Sequence, residues 1–171
     1  MQVHCPREYN RLEVEVAATG ERLTPEVDRR PQDFFHSRLA VSPDGLRLLS
    51  AGWMWHPWGR VDVFDLTEAW TNPAVLDAPD PVFGLRGLLQ AEVAGACFTD
   101  GGVVLSTSSE ENDSDGPDDL EPNMLAHWSE RERRYLWRRR LDRTAGDLVL
   151  IGDGVLGLYG HLDSSTSRTG H

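Results

Sequence analysis

The stretch HSRLAVSPDGLRLLSAGWMWHPWGRVDVFDL, running from His36 to Leu66, decides the fold. Ser42-Pro43-Asp44-Gly45 is a turn, because proline presets φ at the second position and glycine closes it. Short apolar runs lie on either side. Phe34 to Val41 precedes the turn, and Leu46, Leu48 and Leu49 follow it, ending at Ser50-Ala51-Gly52. Trp53 to Trp58 then reads as an aromatic loop. Val61, Val63, Phe64 and Leu66 form a third strand.

The same signature returns twice. Thr99-Asp100-Gly101-Gly102 separates Val93–Phe98 from Val103–Thr107, and Gly152-Asp153-Gly154 separates Leu148–Ile151 from Val155–Tyr159. The turn aspartates Asp44, Asp100 and Asp153 are 56 and 53 residues apart (100−44 and 153−100). A period of that size, with short turn-bounded strands, points to a propeller rather than a helical solenoid. Upstream, Leu12, Val14 and Val16 alternate with Glu13 and Glu15 as a half-buried strand. A turn at Gly20 and a return strand over Glu21–Thr24 follow. Met124–Trp128 and Tyr135–Arg139 complete the second repeat. The expectation is an all-β chain of β-propeller-type blades, each of short antiparallel strands, in an incomplete ring of about three blades. The divisions are a half blade at 1–24, a blade at 33–80, a blade at 88–141 and a half blade at 145–160, with a frayed tail over 163–171.

These residues resemble the WD-repeat propeller family. Ser42-Pro43-Asp44-Gly45 is similar to its turn between the first two strands of a blade, and Leu48-Leu49-Ser50-Ala51-Gly52 to its second-strand ending. Val61-Asp62-Val63-Phe64-Asp65-Leu66 is similar to its third strand, with Phe64 where the family carries tryptophan, and Ala17-Ala18-Thr19-Gly20-Glu21 to the turn leaving a third strand. The family's glycine-histidine pair is absent at its spacing, and the aromatic loop replaces its loop aspartate. Its buried tetrad is therefore not carried over. The resemblance implies a degenerate member, a fragment or truncated form of a longer propeller, acting as a non-catalytic protein–protein interaction scaffold. The alternative is a propeller-type hydrolase or small-ligand-binding protein whose site needs missing blades.

The chain has 171 residues, a net charge of −11 and no lysine, all seventeen basic residues being arginine. Nucleic-acid binding wants a basic face, and anionic lipid wants a polybasic segment, so neither partner is expected. No apolar window reaches the ~18 residues of a membrane span, and the N-terminus has no secretory pattern. A cytoplasmic location is the expectation. Cys5 and Cys97 have neither zinc nor disulfide-framework spacing. No cofactor or metal is read from the sequence.

Three constellations stand out. Trp53, Trp55, His56 and Trp58 fill the core of their own blade, form a partner-binding rim, since tryptophan is an interface anchor, or stack on a small ligand such as a sugar ring. Alternation puts Trp53 and Trp55 together, and Pro57 frees Trp58. The expectation is Trp53 and Trp55 inside, Trp58 on the rim. The acidic run Glu110–Glu121 lacks the register of a calcium loop and reads as solvated and mobile. The third is a basic patch of Arg134, Arg138 and Arg140 sharing one strand face, with Arg139, Tyr135 and Trp137 on the other. It reads as charge protecting an edge strand or as a site for an acidic partner. Ser37 beside His36 makes no triad, for want of a nucleophile elbow. The partner expected is a protein of unidentified kind, and open blade faces allow self-association.

Overall fold

A computed structural model describes residues 1–25, 27–55, 58–80, 83, 85, 91–111, 120–159 and 161–163. The described chain is all-β, with four small antiparallel sheets, none of them closed. β1 (Gln2–His4) pairs with β2 (Glu13–Glu15). β3 (Phe34–Val41), β4 (Arg47–Met54) and β5 (Trp58–Asp65) form a three-stranded meander. β6 (Ala91–Thr99), β7 (Gly102–Glu111), β8 (Met124–Ser129) and β9 (Arg134–Arg140) form a four-stranded one. β10 (Asp147–Ile151), β11 (Gly154–Tyr159) and β12 (His161–Asp163) form the last.

The repeated turn is where the sequence is read most directly. Gly45, Gly101 and Gly152 all adopt positive φ, at 77°, 79° and 56°. L-residues resist that region and glycine does not. At the first turn the Gly45 amide donates to the Ser42 carbonyl at 2.9 Å, and the Leu46 amide donates to the Asp44 carboxylate at 3.0 Å. All three expected hairpins form: β3–β4, β6–β7 and β10–β11.

Period-two alternation then decides which sheet meets which. Leu49 and Ala51 of β4 and Val61 and Val63 of β5 pack with Val93, Val103, Leu105 and Ala126 of the next sheet. The opposite face of the same strands sends Leu48 and Phe64 into a second core with Leu12, Val14, Leu66 and Leu76. The opposite face of the four-stranded sheet sends Cys97, Val104 and Leu125 onto Leu148 and Val155. The sheets therefore pack face to face in chain order. Cys5 and Cys97 are free thiols belonging to separate cores. Burial pushes each up to about 11.

Several boundaries differ from the expectation. Trp53 and Met54 belong to β4 and Trp58 to β5, and Met54 pairs directly with Trp58, so the two strands extend into the expected aromatic loop. The last strand, β12, reaches Asp163, the first residue of the expected frayed tail. The N-terminal segment gains β1, and Glu21–Thr24 contributes only a bridge between Arg22 and Glu15. A 3-10 helix at Pro73–Leu76 lies in the first long connection. Of the acidic run Glu110–Glu121, expected to be mobile, Glu110 and Glu111 end β7 and Leu120 is buried; its residues 112–119, and residues 164–171 of the tail, lie outside the described residues.

Candidate functional site

The aromatic cluster of the sequence becomes a ladder. Phe35 of β3 and Trp53 of β4 are Cα partners, so their side chains share a face. Their rings stack at 4.6 Å and 4°. Trp55 continues the row, 6.5 Å from Trp53. Tyr9, from the β1–β2 connection, extends it at the other end, stacked 4.6 Å from Phe35. The Tyr9 hydroxyl donates to the Asp33 carboxylate. The two ends of the row are its exposed rings, Tyr9 being 47% exposed. Trp55 is 69% exposed.

The expected orientation fails at Trp55, which is exposed, and at Trp58, which is half-buried, whereas Trp53 is half-buried on the strand face that carries Leu49 and Ala51. Alternation held, since Trp53 and Trp55 share one face and Trp58 lies on the other with Met54. Opposite Trp53 is Gly59, where an added Cβ would lie 2.4 Å from the Val93 carbonyl. The neighbouring sheet fills that space, so the Trp53 ring stacks outward along the ladder and carries Trp55 with it. Trp58 is half-buried, and its Nε1–H is shielded with no hydrogen-bond acceptor among the described residues. His56 lies outside the described residues.

Beside the ladder is an open groove of about 600 Å³, lined by Trp53, Ser37, Arg38, Glu92, Ser108 and Asp147 among others. That volume is typical of ligand sites, which run from about 300 to 1,000 Å³. Three successive sheets supply it, with Ser37, Arg38 and Trp53 from β3 and β4, Glu92 and Ser108 from β6 and β7, and Asp147 from β10. Arg38 forms an ion pair with Asp147, linking sheets 109 residues apart in sequence. Glu92 is held differently. Its Oε1 accepts the Gly59 amide at 2.9 Å and its Oε2 accepts the Ser108 hydroxyl at 3.2 Å.

The basic patch is divided by a β-bulge. Trp128 pairs with Tyr135 and His127 with Trp137, so Leu136 has no opposite residue. Two residues facing one shift the alternation. Arg138 and Arg140 consequently share a face with Tyr135, and Arg138 lies 4.7 Å over its ring. Arg134 falls on the other face and pairs with Glu132. Arg139 sits 5.3 Å over Trp137.

Sequence reading also missed a buried polar row. His36 Nδ1 meets Ser50 Oγ at 2.9 Å, and Ser50 is the Cα partner of Asp62. These are the residue types of a hydrolytic triad, but Ser50 is 0% exposed and Asp62 binds Arg60 at 2.8 Å. No substrate reaches that serine, so the row is structural. Burial holds His36 down to about 4 and raises Asp62 to about 6, against the opposing pull of Arg60.

No protein-family model matches the chain, and no curated protein matches it in sequence. Among solved structures, the computationally designed Ika8 protein is similar at 15% identity and a TM-score of 0.36, over 86% of this chain and 49% of that one. The chain thus spans about half the length of that structure, and a TM-score of this size does not establish a common fold.

Proposed function

We propose that the chain is a propeller-type, WD-repeat-like interaction module, non-catalytic, whose exposed aromatic ladder anchors a protein partner. One observation carries the reading. Three successive sheets line one groove, and the ladder runs from Trp53 on its wall to Trp55, a largely exposed indole. Face-to-face packing of antiparallel meanders in chain order supports blades, since propellers repeat such sheets radially around a channel. Exposed tryptophan supports a partner face, because large rigid aromatic area is the usual source of interface energy. The outer face of the last sheet supports association with a further sheet: Val149, Ile151 and Leu158 are exposed there.

The test is capture on immobilised protein. The wild type and Trp58→Ala should retain the same partner, and Trp55→Ala should lose it with its melting curve unchanged. Equal capture by Trp55→Ala would count against the reading.

A further inference from the structure

The groove contains a fixed negative charge with no cation set against it. Arg38 is neutralised by Asp147. Glu92 is positioned only by neutral donors, the Gly59 amide and the Ser108 hydroxyl, and no arginine pairs with it among the described residues. It is half-buried, so solvent screens it less than a surface carboxylate. Glu110 stands exposed at the edge of the same groove. The indole of Trp53 forms a wall of the groove, and Trp55 is the next ring of the row, 6.5 Å from Trp53 and largely exposed. Carboxylate and indole together select a flat, delocalised cation. Guanidinium bonds a carboxylate through its fork and stacks on an aromatic face, which ammonium does less well. The chain's net charge of −11 would draw a basic segment toward it.

Building on the reading of the ladder as a partner face, we infer that the groove receives an arginine side chain from an extended basic segment of the partner. The guanidinium meets the Glu92 carboxylate, and the segment packs against Trp53 and Trp55.

The experiment titrates the protein with N-acetyl-Gly-Arg-Gly-amide and with its citrulline and lysine counterparts, following tryptophan fluorescence. Citrulline keeps the shape and removes the charge. The arginine peptide should saturate, the lysine peptide should bind more weakly, and the citrulline peptide should not bind. Glu92→Gln and Trp55→Ala should each weaken the arginine peptide on the order of tenfold. Equal binding of arginine and citrulline peptides would overturn the inference, as would unchanged affinity in a folded Glu92→Gln variant. If the arginine peptide does not bind but partner capture still depends on Trp55, the arginine site is wrong and the partner face stands. If capture does not depend on Trp55, both fall.

Discussion

At the residue scale, exposure separates the tryptophans into different roles. Trp55 extends into solvent, so Trp55→Ala should leave the melting temperature nearly unchanged. Trp58 is half-buried on the opposite face, and Trp58→Ala should cost about 2–3 kcal/mol, below the range for a fully buried tryptophan. Thermal melts of the two variants check this. The buried pair His36 and Asp62 sets a second test. His36 is held near 4, below its ordinary 6.5, so its contribution is complete above pH 6.5 and is lost as pH falls toward 4. Asp62 is raised from 3.8 to about 6, so it destabilises above pH 6 and that cost is relieved as pH falls. The two oppose each other between pH 6 and 4. Asp62→Asn removes only the relief, so this variant should lose more melting temperature than the wild type between pH 6.5 and 5. Parallel melting curves would contradict it. The residues that make the turns were legible in the sequence because only glycine takes positive φ cheaply. The partners of Phe35 were not. Tyr9 lies 26 positions (35−9) from it in the chain, and no local pattern marks such a contact.

At the scale of elements, sheets approach closely only where side chains are missing. Gly59 on β5 backs onto β6, with the Val93 carbonyl 2.4 Å and the Glu92 side chain 2.7 Å from the position a Cβ would take. Gly59→Ala should therefore cost about 1–3 kcal/mol through overpacking, measured by denaturant unfolding. It should also shift Glu92 and weaken the proposed arginine site. The first sheet depends on an ionic tie instead. The fully buried Arg29 guanidinium donates to the Leu12 carbonyl at 2.7 Å and pairs with Asp77 at 2.5 Å. Arg29→Ala leaves Asp77 without its partner and should cost about 3–5 kcal/mol. Strand existence followed from alternation and turn residues, and most boundaries fell within two residues. The bulge at Leu136 did not show, because an extra residue in a strand leaves composition unchanged while it reverses every side chain beyond it.

For the whole molecule, the sequence carried the repeat and the all-β class, because turns and alternation are local. It did not carry the meeting of β3, β6 and β10 around one groove. That depends on sheets packing through both faces, and Glu92 and Asp147 look like ordinary solvated carboxylates in the sequence. The groove and the ladder beside it exist only if the sheets stack in chain order with their first strands converging. The ion pair between Arg38 and Asp147 is the place to test this. The measurement is cross-linking of Arg38→Cys with Asp147→Cys by a short bismaleimide, in a background carrying Cys5→Ser and Cys97→Ala. The account predicts a fast intramolecular cross-link in the native chain that disappears in denaturant. A native chain that cross-links no faster than the denatured one would contradict the convergence, and with it the site.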